Sequence, residues 1–569
     1  PPLAYPPPCG RSLASNGKIK MAQIKVFWGA PGTGKTHKAV EILTDAIVEG
    51  KSISYDTFRR SMAEDAYARL ADAIYERTDM DERDVRRTLR YVSTTHGICF
   101  RLLGLTPSDV LRFTDFKKFC EENNLHIEAR EFHALQKEIV DFDFYETSGG
   151  KFLALYCNCV NCLVPYDDYM TLPSYMIPQG SLPFDFPKLA RKYDEFKESI
   201  RKVDFTDMLR IAYEEQLSPD TFVHICDEFH DKTPLQYELF KIWAENADEV
   251  YCCLDFNQRI YSHWGTNLTK IDELRKFPIE ILRQSYRLGV KQYIYAKSVI
   301  QPQEMPELFC KGDTEVHEIH TVHEFIKTLY ECGSACLMLG RTKHHLREIA
   351  NVLNAHGIVF TGDPRFAWKR KEIKLFDALH ALYRDELTPD DLETLLDALS
   401  PEAFAHDKLS IEYNLVDYAT NMSADEIFSQ HFLSRFRFSP KSISSFIMPS
   451  FLGDEKSVQK VLNASMKQPE HKDPYMPRKF PRLLTIHASK GLEEDYVFVF
   501  DGISRRILNS ITAYREEYEN EQRVWYVAVT RAKKKVFIVR NFFSAPLRLR
   551  SFLPPLKEAL YGLKGVEIL

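Results

Sequence analysis

The sequence predicts an α/β chain with two parallel sheets, each interrupted by a mainly helical segment. Three observations predict it. A glycine-rich loop joins an apolar strand candidate to a helical pattern near the start, further short apolar runs recur along the chain, and two long stretches lack such runs.

The first unit of this rhythm is Ile24–Trp28, IKVFW, followed by GAPGTGKT and then by HKAVEILTDAIVEG, an order of strand, loop and helix. Short apolar runs recur at FVHICDE, EVYCCLD, SACLMLG, LLTIH, YVFVFD and KKVFIV, separated by longer helical patterns. Between Gly104 and Lys202, and again between Arg384 and Arg482, the pattern is mainly helical. Proline-rich stretches in these segments, SLPFDFP (181–187) and PEHKDPYMPRKFP (469–481), suit exposed connections. The expected division is a first sheet domain over 21–104 and 203–283 with an insertion over 105–202. A second sheet domain covers 284–384 and 482–569, with an insertion over 385–481. No internal repeat or coiled-coil heptad is found.

A chain of 569 residues exceeds what one core supports and should divide into roughly three or four domains. No apolar stretch approaches the roughly 18 to 20 residues that span a bilayer, so no membrane helix is expected. The formal net charge of −6 excludes a general polycation, and any nucleic-acid contact must use a local basic groove. Residues 1–20, rich in Pro, Gly and Ser and lying before Met21, read as a disordered leader or an expression remnant. The twelve cysteines are scattered, several of them in apolar runs (Cys226, Cys252, Cys253). That usage fits a reducing compartment: the cytoplasm, or the nucleus or an organelle in a eukaryote. Cys157, Cys159 and Cys162 form C-x-C-x-x-C, a spacing that invites a metal, but KFLALYCNCVNCL reads as helix. On a helix Cys157 and Cys159 diverge by about 200°, so a packed helix is the expectation.

Chemistry concentrates first in Gly29-Ala30-Pro31-Gly32-Thr33-Gly34-Lys35-Thr36, which fits the phosphate-loop pattern G-x-x-x-x-G-K-[ST] in its strand-to-helix setting. The glycines let successive N–H groups and the following helix N-terminus face phosphate oxygens, Lys35 supplies positive charge, and Thr36 offers a hydroxyl to Mg²⁺. A nucleoside triphosphatase also needs a carboxylate at a second strand end for the metal and an acid or base for the attacking water. Asp227 and Glu228, after FVHIC, supply both. Charge on the γ-phosphate calls for arginines, for which Arg287 in LRQSYR and Arg531 in YVAVTRA are the candidates.

With these residues in view the chain resembles a UvrD/Rep/PcrA-type superfamily 1 DNA helicase, in order from Ile24 to Val539. The phosphate loop matches the first motif, YDTFRRSMAEDAYARL (55–70) resembles the T-F-x-x-x-A-x-x-M segment, and VSTTHGICFRLL (92–103) resembles the T-F-H segment. DEFHD (227–231), LDFNQRIY (254–261), LRQSYR (282–287), LLTIHASKGLE (483–493) and EQRVWYVAVTRAKKKV (521–536) follow in the family's order. The resemblance implies two RecA-like P-loop motor domains with ATP between them, each carrying a mainly helical insertion. It implies that Gln258 senses the γ-phosphate, that Tyr286 stacks on adenine, and that Arg287 and Arg531 meet the γ-phosphate. Glu493 joins the nucleotide-binding set. The implied strand contacts are Phe58, Thr94, His96, Tyr261, His263, Trp264 and His487, aromatic faces and polar groups beside a basic groove.

Four departures stand out. DEFHD places His230 where the family has Gln, and LDFNQ has Leu254 where it has Gly. The aromatic-Arg-Gly segment after Tyr261 reads His263-Trp264-Gly265, so the stacking ring is either His263 or Trp264. Only Met21-Ala22-Gln23 precedes the first strand after the leader, where the family carries its adenine-recognition segment, so GTP should be tolerated more than usual beside ATP. The implied activity is ATP-dependent 3′→5′ translocation on single-stranded DNA with unwinding at single/double-strand junctions. Two alternatives are kept: a translocase that removes proteins without efficient unwinding, and an ATPase-inactive DNA-binding scaffold. RNA stays open as a track, because base stacking does not test for the 2′-hydroxyl. The sequence names no protein partner and no pathway among repair, replication, recombination and defence.

Overall fold

The structure, a computed structural model, describes residues 23–136, 146–178, 182–301, 303–333, 336–384, 388–400, 443–467, 480–543 and 550–560. The expected leader and much of the expected second insertion lie outside the described residues.

Two compact units form. The first takes the chain up to Glu315, Arg506–Lys533 and the chain from Pro554; the second takes Val316–Arg505 and Lys534–Leu553. Residues 284–315 and 506–533, grouped by sequence pattern with the second sheet domain, pack in the first unit. Tyr286 N–H donates to the Gly32 carbonyl at 2.9 Å and the Tyr526 hydroxyl to Asp255 Oδ2 at 3.4 Å, which holds them there, while Gln292 ties one segment to the other by donating to the Val529 carbonyl at 2.9 Å.

The first unit is built on a six-stranded sheet of β1 (Gln23–Trp28), β2 (Ile53–Thr57), β3 (Val92–Thr94), β4 (Val223–Cys226), β5 (Glu249–Leu254) and β6 (Ile279–Ile281), in the order β3-β2-β4-β5-β1-β6. All of its pairings are parallel, with Trp28 opposite Leu254, Cys226 opposite Cys252, and Asp56 opposite Cys226. Parallel strands are covered on both faces, which is why β1, β4 and β5 read as near-continuous apolar runs. One face packs α1 (Lys35–Val48) and α2 (Arg60–Arg77) through Leu43, Ile47, Ala66, Leu70 and Ile74. The connection from β3 to β4 carries α3 to α8 of this numbering: α3 (Thr95–Leu102), α4 (Phe113–Glu122), α5 (Ala129–Gln136), α6 (Ser148–Asn161), α7 (Phe186–Ser199) and α8 (Phe205–Glu214).

The helical excursion closes at its base, where Leu111 N–H donates to the Val203 carbonyl and Val203 N–H to the Asp109 carbonyl, both at 2.9 Å. Its interior is aromatic, with Phe116, Phe119, Phe152 and Tyr193 in mutual ring contact. Lys197, 2% exposed, is buried beside them and held by Asp204 at 2.9 Å and Asp207 at 2.7 Å. Cys157, Cys159 and Cys162 lie on or just after α6; Cys157 faces Thr206 and Cys159 is fully buried. Among the described residues no cysteine joins a cluster of metal-ligating side chains.

The second unit carries another six-stranded sheet, formed by β9 (Glu315–Ile319), β10 (Cys336–Gly340), β11 (Thr361–Gly362), β12 (Arg482–Thr485), β13 (Glu494–Phe500) and β14 (Ala532–Val539) in the order β11-β12-β10-β13-β14-β9. A two-stranded ladder, β7 (Gln284–Ser285) with β8 (Phe309–Cys310), belongs to the first unit. Strands β11, β12, β10 and β13 pair in parallel. The second core centres on Phe325, packed edge-on against Phe498, Phe500 and Phe542. The two parallel sheets bear out the α/β class and its RecA-like architecture. No described helix is long and apolar enough to cross a membrane.

His224, fully buried in β4, accepts or donates at Nδ1 to Ser54 Oγ at 2.8 Å and is pushed down to about 4 by burial. A depressed histidine contributes stability that is present above its unfolded value and lost as pH falls from 6.5 toward 4. His224→Gln should therefore flatten the acid side of the stability profile by up to about 1.4 kcal/mol per pH unit in that window. Thermal denaturation of both proteins between about pH 7 and about pH 4.5 checks it.

Candidate active site

The phosphate loop, Asp227–Glu228 and Asp255–Gln258 each follow the C-terminal end of a parallel strand, the edge where open α/β sheets take their ligands. The loop after β1 turns through Gly32 (φ +75°) and Gly34 (φ +81°), left-handed positions open to glycine at little cost. Gly34 caps α1, so the first N–H groups of a 14-residue helix face the loop's concavity. A side chain at Gly32 would also stand 2.4 Å from Arg287 Cβ. Lys35, 8% exposed, folds its ammonium onto the Gly29 carbonyl at 2.7 Å, and Thr33 Oγ1 donates to the Ala30 carbonyl at 2.8 Å.

Asp227 follows β4 and is 1% exposed. Thr36 Oγ1 and the Tyr55 hydroxyl each donate to its Oδ2 at 2.8 Å. Burial first, and then the neighbouring Glu228 charge, push the Asp227 carboxyl up, against the two hydroxyls and Lys35. Glu228 itself sits at φ +52°, a left-handed position that costs a non-glycine residue about 1 kcal/mol or more. Its N–H is taken by Asp227 Oδ1 at 2.9 Å, and its carbonyl accepts from Asp231 N–H at 2.9 Å.

Beyond Glu228 the departure at His230 acquires a structural role. His230 is fully buried, its Nδ1 accepts from Asp255 N–H at 3.2 Å, and its Nε2 lies 3.1 Å from Glu228 Oε2. Asp255 follows β5 and takes the Gln258 amide at 2.9 Å, while Arg531 reaches Gln258 Oε1 at 3.3 Å. Gln258 and Arg531 are 4% and 3% exposed. The structure thus brings Lys35, Thr36, Asp227 and Glu228 into one cluster and joins Gln258 to Arg531 beside it.

Residues 284–288 abut the phosphate loop. Ser285 Oγ donates to the Pro31 carbonyl at 3.0 Å and Tyr286 N–H to the Gly32 carbonyl at 2.9 Å. The Tyr286 ring is 64% exposed with the Lys311 ammonium 5.4 Å from its centroid, an accessible aromatic face beside the loop. Ser285, Tyr55 and Asp255 were not among the residues singled out by motif. Polar side chains inside or just after buried strands are the signal that marks them.

The expected strand-contact residues divide by exposure. Phe58 and His96 are half-buried rings; Phe58 stacks on Tyr261 with centroids 5.1 Å apart, and His96 lies 5.8 Å from Phe205. Thr94 caps α3, accepting from Gly97 N–H at 3.2 Å. Tyr261 and Trp264 are 2% and 5% exposed, so their faces are already covered by protein. His263 belongs to the turn Ser262–Trp264, but its side chain lies outside the described set. His487 and Glu493 belong to the second unit, His487 on the helical turn Ile486–Ser489 and Glu493 just before β13.

Comparison with known proteins agrees with this geometry. The UvrD/REP helicase N-terminal domain matches residues 20–278, and the UvrD-like helicase C-terminal domain matches residues 453–541. A probable DNA helicase II homolog of Mycoplasma pneumoniae is 22% identical over 91% of this chain and 82% of its own length. The ATP-dependent DNA helicase PcrA of Bacillus subtilis is 23% identical over 89% of this chain and 79% of its own. The ATP-dependent DNA helicase UvrD2 of Mycobacterium tuberculosis is 25% identical over 62% of this chain and 54% of its own. The chain belongs to the UvrD/Rep-like DNA helicase family.

Asp227→Asn keeps the shape of the buried side chain and removes the charge that burial and Glu228 disfavour. The variant should hydrolyse nucleoside triphosphate at least ~100-fold more slowly while melting no lower than the parent, because the lost charge was an unfavourable one. Steady-state hydrolysis and thermal denaturation, run on the same preparation, check both halves.

Proposed function

We propose that the chain is an ATP-driven motor that moves 3′→5′ along single-stranded DNA and separates strands at single/double-strand junctions. The observation that carries this reading is the convergence of Lys35, Thr36, Asp227 and Glu228 at one sheet edge, with the Gln258–Arg531 pair beside them. That set contains the parts phosphoryl transfer needs: a loop of N–H donors, a cation, a metal carboxylate, an acid for water and a guanidinium for developing charge.

In this reading the Gly29–Thr36 loop and the α1 N-terminus hold the triphosphate, with the Lys35 ammonium exchanging its carbonyl partners for phosphate oxygens. Thr36 Oγ1 and the Asp227 carboxylate, 2.8 Å apart, are hard oxygen donors of the type that suits Mg²⁺. Bound there, the ion would offset negative charge on the phosphate oxygens. Glu228 orients the attacking water and takes its proton. Gln258 and Arg531 respond to the γ-phosphate, Arg287 adds a second guanidinium, and the exposed Tyr286 ring offers a face for adenine. Phe58 and His96 supply partly accessible rings for bases, each stack being worth about 1–3 kcal/mol. Free buried cysteines suit a reducing cytoplasm.

The test is ATP hydrolysis with and without single-stranded DNA at low salt, for the wild type and Lys35→Ala, since phosphate contacts weaken as ionic strength rises. Hydrolysis stimulated by DNA and lost in the variant is the expected result; no hydrolysis under either condition overturns the reading. Strand displacement from duplexes with 3′ or 5′ single-stranded tails then reads direction. Displacement from the 3′-tailed duplex alone is expected, and none from either would favour a translocase that only removes bound protein.

A further inference from the structure

The first unit contains a buried ion pair that none of the roles above uses. Asp56, fully buried in β2, is paired with Lys232, which is 4% exposed. Thr95, 3% exposed at the start of α3, joins them: its hydroxyl donates to Asp56 Oδ1 at 2.7 Å and accepts from Lys232 Nζ at 3.2 Å. Cys226 Sγ, at the end of β4, lies 3.7 Å from Asp56 Oδ2. Three side chains from β2, from the N-terminus of α3 and from the loop after β4 are therefore tied at one point.

The sequence positions of these three residues matter more than their burial. Lys232 ends the short loop that begins with Asp227 and Glu228, and the loop is stiffened by the turn Phe229–Asp231, with Lys232 N–H donating to the Phe229 carbonyl at 3.1 Å. The Asp56 carbonyl also accepts Asp227 N–H at 2.8 Å, so β2 is bonded to both ends of that loop. On the other side, β2 ends at Thr57 and leads directly to Phe58 and Arg59, which meet Tyr261 by ring stacking and by a hydrogen bond to its hydroxyl. Thr95 stands between Thr94 and His96. Asp56 and Thr95 thus lie one or two residues from proposed strand contacts, and Lys232 lies in the same loop as the acids of the hydrolytic site.

Burying two charges is a poor way merely to fasten a core, because apolar side chains of similar volume usually hold it as well or better. A hydrogen-bonded charged pair shared by three elements does something an apolar plug does not: its bonds weaken steeply with length and angle, so a displacement of one element is felt by the other two. We propose that Asp56, Lys232 and Thr95 are positioning residues that couple the Asp227–Lys232 loop to the Phe58–Arg59 and Thr94–His96 segments. Movement of the loop during nucleotide turnover shifts the strand-binding segments through this contact, and strand binding acts back on nucleotide binding by the same factor, as linkage requires, and on the rate of hydrolysis through the same loop. The inference rests on the motor reading above.

A coupling role is separated from a structural one by a double-mutant cycle. The full chain is compared with Lys232→Met, Asp56→Leu and the double variant, with kcat and KM for ATP measured with and without oligo(dT), alongside the melting temperature. Each single variant leaves an uncompensated buried group and should melt lower; the double variant should regain most of the loss. Its basal hydrolysis and KM for ATP should stay within about twofold of wild type while stimulation by oligo(dT) falls about tenfold, within the range typical of coupling between sites. A double variant that is stimulated as strongly as wild type overturns the proposal. Should the double variant fail to fold, Thr95→Val removes only the shared hydroxyl: assayed well below the variant's melting temperature, stimulation about threefold or more below wild type with basal hydrolysis unchanged supports the coupling, and full stimulation overturns it. A wild type whose hydrolysis ignores DNA overturns the motor reading and this inference with it, whereas a stimulated wild type matched by an equally stimulated double variant overturns this inference alone.

Discussion

A carboxylate kept almost wholly out of water at the end of β4 is the constraint around which the first unit is arranged. Asp227 has no solvent to stabilise its charge, so the charge must be met by protein groups, and those groups come from two elements distant in the chain: Thr36 and the field of Lys35 from the first turn of α1, and Tyr55 from β2. The cost of burial is thereby turned into positional information. The loop, the helix behind it and the second strand can occupy only the places in which Asp227 is satisfied, and those are the places a triphosphate requires.

The same logic extends outward through polar residues. Glu228 contacts His230, His230 receives the backbone of Asp255, Asp255 takes the amide of Gln258, and Gln258 is reached by Arg531. Each member is buried or nearly so, and each lies just beyond a strand or helix end. A histidine at position 230 suits this chain of contacts because its two ring nitrogens face opposite directions, one accepting a main-chain N–H and the other turned to the acid.

Much of this arrangement was legible in the sequence. Each of the seven apolar runs falls on a strand, and the phosphate loop, Asp227 and Glu228 lie where the motif places them, because short buried parallel strands and glycine-dependent turns are encoded locally. The run ISYDT was not legible as a strand, although β2 lies between β3 and β4: Ser54 and Asp56 interrupt its apolar character, and their partners are Thr221, His224, Thr95 and Lys232, distant in the chain. The aromatic candidates show the opposite limit. Tyr261 and Trp264 have the right chemistry for stacking, but whether a ring presents its face to solvent depends on neighbours such as Phe58 that sequence spacing does not reveal. Grouping of residues 284–315 and 506–533 with the first unit likewise depends on long-range bonds, from Tyr286 to Gly32 and from Arg531 to Gln258.

The closure at Leu111 and Val203 bears on how the chain acquires its fold. Strands β3 and β4 belong to one sheet but are separated by everything from Thr95 to Phe222, a span whose ends must meet before the sheet can be completed. If the aromatic helices between them condense first, the backbone bonds at their base bring the two ends together. The remaining open chain is then roughly a quarter of the original length, which lowers the entropy of closure by about 1 kcal/mol. In that order of events, an excursion that looks like an interruption of the sheet acts as a clamp on its assembly, converting a long-range encounter into a short-range one.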